Sequence, residues 1–101
     1  MKVLIIGSGG KTHAIIHKLS QSSALSNIYT TFKNAEAQKL AEYVDIMEND
    51  AEKLSEFIKS NEIMLAVVES ESAINAGIAD VLRKENIAVF GAVAASSIIE
   101  N

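Results

Sequence analysis

Six residues near the start of the chain, Gly7-Ser8-Gly9-Gly10-Lys11-Thr12, are its densest candidate for chemistry. A glycine turn that runs into a helix can hold an anion. Glycines permit positive φ and close backbone approach, and the first amides of a helix point outward at the positive end of its dipole. Spacing decides which anion. A loop that wraps a triphosphate needs G-x-x-x-x-G-K-S/T. Gly10-Lys11-Thr12 fits its end, but the first glycine would have to stand at Ile5, which excludes a nucleoside triphosphatase of that type. The dinucleotide fingerprint G-x-G-x-x-G would need its third glycine at Thr12 and an acid at the end of the second strand. Thr30-Thr31-Phe32-Lys33 offers no acid, which argues against a nicotinamide cofactor. What survives is a loop for one phosphate-like group, with Gly7, Ser8, Gly9, Gly10 and Lys11 as candidate ligands. The competing reading is a tight turn and nothing more.

Other polar groups are weaker candidates. His13 and His17 stand four apart on one helix face, but Ala14 sits where H-E-x-x-H needs its general base, and no third histidine completes a zinc site. They read as surface or packed histidines. Glu69 and Glu71 follow the fourth apolar run, where acid–base or metal chemistry and plain solvation are equally good readings. Ser70 and Ser72 lack a G-x-S-x-G elbow, which argues against a serine hydrolase.

The elements that must position these groups alternate strictly. Lys2–Ile6 reads as a strand and 10–22 as a helix whose apolar stripe is Ala14, Ile15 and Leu19, widened by Ile16. A second strand spans 27–31, and Asn34 caps a helix carrying Ala37, Leu40, Ala41 and Val44. A short third strand is expected at Val44-Asp45-Ile46. Asn49 or Asp50 then caps a helix to Ser60 with Ala51, Leu54, Phe57 and Ile58 as its buried face. Met64–Val68 is an unbroken apolar run, as in a central parallel strand. A helix over 73–85 buries Ile74, Ile78, Val81 and Leu82, with Gly77 marking close packing. Ile87–Phe90 is a fifth strand and 94–100 a last helix. The pattern predicts an α/β, Rossmann-like, doubly wound domain: a five-stranded parallel sheet with helices on both faces. The first and fourth strands, both continuously apolar, should be neighbours at the switch in strand order, which places Glu69 beside the glycine loop.

The whole chain, 101 residues with a net charge of −4, reads as a single domain. Its lysines are scattered, so no basic footprint for nucleic acid exists. The first apolar run is too short for a signal peptide or a membrane span. Cysteine is absent, which rules out disulfides, and so is proline.

Several stretches together resemble one family. Lys2-Val3-Leu4-Ile5-Ile6-Gly7-Ser8-Gly9-Gly10-Lys11-Thr12-His13-Ala14 is similar to the opening of glycinamide ribonucleotide synthetase, or phosphoribosylamine–glycine ligase, with its apolar strand and G-x-G-G-R-E-H-A. Asn34-Ala35 resembles that family's P-G-N-A-G loop, and Val68 to Ile74 its V-G-P-E-x-P-L. Ala76-Gly77-Ile78, Asp80 and Phe90-Gly91 also match, and the end resembles F-G-P-T-x-x-A-A-x-L-E. The resemblance implies the N-terminal domain that precedes an ATP-grasp fold in an enzyme of de novo purine synthesis. That enzyme joins glycine to 5-phosphoribosylamine, with ATP activating the glycine carboxylate as an acyl phosphate. It further implies that Gly7 to Lys11 hold the substrate's 5-phosphate, and that Asn34, Glu71 and His13 meet its ribose or amine. No catalytic or metal-binding residue is assigned within the chain. ATP and magnesium belong to the ATP-grasp portion, and the 101 residues alone are expected to be inactive. The expected partners are a small phosphorylated sugar and that missing portion, not nucleic acid or membrane, with an oligomer left open. The expected location is the cytoplasm.

The departures fall on the loops. The family's arginine and glutamate become Lys11 and Thr12. Its prolines become Phe32, Ser70, Ala73 and Ala92, and two of its glycines become Lys33 and Glu69. Two alternatives therefore stand beside the ligase domain: a diverged, non-catalytic interaction or regulatory module, and a generic nucleotide-binding Rossmann-like domain.

Overall fold

The fold was obtained as a computed structural model, which describes residues 1–91. The expected last helix over 94–100 lies outside the described residues. Five parallel strands, β1 (Lys2–Ile6), β2 (Asn27–Thr30), β3 (Glu42–Tyr43), β4 (Leu65–Val68) and β5 (Val89–Gly91), form one sheet in the order β3-β2-β1-β4-β5. The helices are α1 (Gly10–Ser20), α2 (Ala51–Ser60), α3 (Glu71–Asn75) and α4 (Ile78–Lys84). The chain leaves β1 for β2 on one side and returns to β4 on the other. β1 and β4 are therefore the switch-point pair, with Ile5 opposite Val67 and Ile6 opposite Val68.

β1 is central because it is apolar on both faces. Leu4 and Ile6 point into a core with Leu54 and Ile58 of α2 and Ile78 and Leu82 of α4. Val3 and Ile5 point the other way, onto Ile16 of α1 and the small residues Ala37 and Ala41. Tyr29 and Phe57 add an edge-to-face ring contact at 5.4 Å on the α2 side. Asp50, not Asn49, caps α2, its carboxylate accepting from the Lys53 amide at 3.1 Å.

The structure corrects the expected elements in several places: β5 begins at Val89 and not at Ile87, and Val81, expected in the buried stripe, is exposed. The helix expected through Ala37, Leu40, Ala41 and Val44 is a single 3-10 turn, Ala37–Lys39. The third strand falls at Glu42–Tyr43, two residues earlier than expected, although the Val44 amide still donates to Thr30 O at 2.8 Å. This edge strand needs only one apolar anchor, and Val44, just beyond it, supplies that anchor in the core. Along α1 the fully buried positions are Thr12 and Ile16, whereas Ala14 is exposed. The helix is rotated toward Thr12 because its hydroxyl finds partners inside. The helix expected over 73–85 is two helices broken at Gly77, whose φ of +70° lies in the left-handed region. No atom lies within 4 Å of where its Cβ would be, so Gly77 serves a turn and not close packing.

Gly7 is different. It continues β1, and a Cβ there would lie 2.1 Å from Thr12 Oγ1 and 3.1 Å from Thr12 Cβ. The glycine is required by the neighbour's volume, since its φ is not positive. By contrast, a Cβ on Gly9 or Gly10 meets nothing within 4 Å.

Two expected outcomes follow from this packing. Gly7→Ala must displace a short, buried, β-branched side chain and should lower stability by about 1–3 kcal/mol in urea unfolding. Gly9→Ala and Gly10→Ala should stay within about 0.5 kcal/mol or gain slightly. The second outcome concerns pH. Lys59 at the end of α2 donates to Glu85 beyond α4 at 2.5 Å, and this hydrogen bond, helped by the Ser55 hydroxyl, holds the Glu85 carboxyl below its usual range. A lowered folded-state pKa stabilises above the unfolded value and is lost as pH falls through the folded one. Lys59→Met should therefore reduce the urea midpoint at neutral pH, and the difference should vanish in acid once Glu85 is protonated.

Candidate functional site

The carboxyl ends of β1 and β4 open into a cavity of about 430 Å³, lined by Ser8, Gly9, Gly10, Lys11, Glu48, Glu69, Ser70 and Ser72. Its floor is the turn between β1 and α1. Thr31, just past β2, pins that turn from below: its hydroxyl accepts from the Gly7 amide and donates to Gly7 O, both at 3.1 Å. Beyond this anchor the chain turns at Gly9, in extended conformation with φ −135°, and enters α1. The first amides of α1 have no partner within the helix, as at any helix start, and here they face the cavity with the Lys11 side chain beside them.

Thr12 ties the turn to β4. Its Oγ1 accepts from the Gly9 amide at 3.4 Å and donates to Glu69 Oε2 at 2.8 Å, while the residue is fully buried. Glu69 follows the last residue of β4, and its own amide donates to Ile6 O at 2.8 Å. The carboxylate is thus held over the glycine turn from both ends. A second carboxylate approaches from the loop between β3 and α2, where Ser8 Oγ donates to Glu48 Oε1 at 3.3 Å. Among the described residues that line the cavity, one cation, Lys11, faces two carboxylates, Glu48 and Glu69.

The expected site residues divide. Ser8, Gly9, Gly10 and Lys11 line the cavity together. Gly7 does not line it, and its amide and carbonyl are both committed to Thr31. Asn34 and His13 do not line it either. Asn34 caps the 3-10 turn, its Oδ1 accepting from the Ala37 amide at 3.0 Å, while His13 is half-buried on α1. Glu71 opens α3, between the cavity-lining Ser70 and Ser72. β4 ends at Val68, so strand alternation does not relate Glu69 to Glu71. Ser70 is the cap of α3, its Oγ accepting from the Ala73 amide at 3.1 Å, which explains a serine here without nucleophilic chemistry. Reading the sequence placed Thr12 in the loop motif without giving it a role, gave Thr31 none, and missed Glu48. The first two looked like ordinary motif and strand residues, and Glu48 comes from a loop whose position depends on where β3 ends.

No group of three or more histidines or acids that could hold a metal ion occurs among the described residues. No helix among them is long and apolar enough to cross a membrane.

Comparison with known proteins gives the turn its context. A family model for the phosphoribosylglycinamide synthetase N domain matches residues 1–100. Phosphoribosylamine–glycine ligase of Caldanaerobacter subterraneus subsp. tengcongensis is 41% identical over 100 residues, 99% of this chain and 24% of that protein. The ligase of Brucella melitensis is 42% identical over 99% of this chain and 23% of its own length. A trifunctional purine biosynthetic protein, adenosine-3, of Drosophila pseudoobscura is 42% identical over 88% of this chain and 7% of its own length. The chain thus spans about a quarter of the ligases it matches. Among solved structures, RSP in complex with β-NADH superposes with a TM-score of 0.55 at 18% identity, covering 98% of this chain and 56% of that one. This likeness shows a shared Rossmann-type fold. Family match and relatives agree along nearly the whole length: the chain belongs to the phosphoribosylglycinamide synthetase N-domain family.

Proposed function

We propose that this chain supplies the sugar-phosphate side of a phosphoribosylamine–glycine ligase of purine synthesis, working in the cytoplasm. The observation that carries the reading is the pair Gly9 and Gly10. The fold leaves open space where their side chains would be, yet both are bare and face the cavity at the start of α1. A residue that the interior does not require to be glycine, at a helix N-terminus, is accounted for by a ligand's close approach. The Gly10 and Lys11 amides and the Lys11 side chain hold the 5-phosphate, Gly9 leaves room for its approach, and Gly7, Thr12 and Thr31 keep the turn rigid. In the joining reaction the sugar's amine attacks glycine's carboxyl carbon, activated as an acyl phosphate. A C–N bond forms, phosphate leaves, and the amine gives up a proton. This chain's part is to hold the amine-bearing sugar in place, since positioning supplies much of the rate in such transfers. ATP and magnesium fall to the ATP-grasp portion of the longer enzyme. A dinucleotide fits less well, because β2 ends at Thr30 and is followed by Thr31, whose hydroxyls are used at 3.0 Å by the Phe32 amide and at 3.1 Å by Gly7.

The test is an NMR titration with ribose 5-phosphate. Amides of Ser8 to Thr12 should shift, with a dissociation constant of about a millimolar, since one small ligand makes few contacts. Gly9→Val has room for its Cβ and should remain folded, yet block the approach and abolish the shifts. Shifts confined to other strand ends, or unchanged in Gly9→Val, would overturn the site.

A further inference from the structure

We infer that Glu69, held by the buried Thr12 hydroxyl, is the residue that makes this cavity select an amine-bearing sugar phosphate over the same sugar phosphate with a neutral group in the amine's place. The inference rests on the proposed sugar-phosphate site and names the feature that the site reads at the ligand's other end. A pocket built for phosphate alone would gain nothing from a carboxylate fixed over its glycine turn, because like charges repel. Yet Glu69 is fixed there. Thr12 is fully buried, donates to Glu69 Oε2 at 2.8 Å, and fills the space that Gly7 leaves open. A charge-assisted hydrogen bond of this kind sets the carboxylate's position as well as its strength as an acceptor. Only one of its oxygens is engaged by Thr12, and Glu69 is half-buried at the cavity wall, so the group is still able to receive a donor from the cavity. Lys11 and the first amides of α1 give the same cavity an anion-binding end. Glu48, held by Ser8 at 3.3 Å, adds a second negative charge to the rim. A cavity with one anion-binding end and a carboxylate wall fits a ligand that carries a phosphate at one end and an ammonium group at the other. It disfavours ligands with a second phosphate. Glu69 is the specificity residue, and Thr12 is a positioning residue that acts through it.

The experiment compares two stable open-chain probes, 1-amino-1-deoxyribitol 5-phosphate and ribitol 5-phosphate, which differ only in ammonium against hydroxyl. Amide shifts of Ser8 to Thr12 are followed at low salt in the 101-residue chain. The aminated probe should bind at least about fivefold more tightly, as expected for a hydrogen-bonded charge pair in a partly enclosed site. Glu69→Gln is nearly isosteric and should bring the two probes within about twofold, while binding ribitol 5-phosphate no more weakly than before. Thr12→Val should reduce the preference and Thr12→Ser should restore it. Equal binding of both probes by the unaltered chain, or an undiminished preference in Glu69→Gln, overturns the inference while the sugar-phosphate reading stands. If neither probe moves the loop amides, both fall.

Discussion

One hydroxyl organises the candidate site. Thr12 Oγ1 receives the Gly9 amide and donates to Glu69, so a single buried group joins the turn after β1, the first turn of α1 and the end of β4. A buried hydroxyl without partners would be costly, and with both satisfied it becomes a specific fastener. It also determines its neighbour. The space beside Thr12 is so tight that any side chain at position 7 must displace it. The three glycines of the loop therefore have different causes. Gly7 answers to packing within the protein, while Gly9 and Gly10 are bare toward the cavity.

The sheet makes that fastening possible. β1 and β4 lie side by side because both are apolar on both faces, and parallel strands covered by helices place their carboxyl ends together. The loops that follow them are thereby brought together for the Thr12–Glu69 bond to fasten. Glu69 is separated from Thr12 by 57 positions in sequence, yet the sheet register brings them to hydrogen-bonding distance.

What was legible in the sequence follows the same division. The strand–turn–helix opening, the alternation of elements and the neighbouring of the first and fourth strands could all be read, because each is written in a local apolar pattern. The resemblance to the ligase N domain was legible too, in motifs spread in order along the chain. The misreadings arose where tertiary contacts override local pattern. Ala37 and Ala41 look helical, yet they pack against the sheet as a 3-10 turn and the connection after it. Gly77 looks like a packing glycine and is a left-handed break. Glu48 was invisible, since nothing local to it shows that the loop after β3 leans over Ser8. Asn34 has a capping role that its sequence position did suggest, and the cap on Ala37 occupies its side-chain oxygen.

The charge pattern at the cavity bears on the meaning of the chain's departures from its family's motifs. Where the family's glycine becomes Glu69, the simplest view is damage: at an effective dielectric of about 20, a carboxylate about 7 Å from a phosphate costs roughly 2 kcal/mol before salt screening. Damage, however, does not account for Thr12. The motif resemblance would place a glutamate at position 12, where this chain has a hydroxyl, and that hydroxyl touches Glu69 at 2.8 Å. The donor is completely buried and its second contact is made to the glycine turn itself, so the protein holds Glu69 in place and does not leave it a free surface charge. A carboxylate fastened by a buried hydroxyl has a set place in the cavity wall, and its charge is part of what any ligand there must meet.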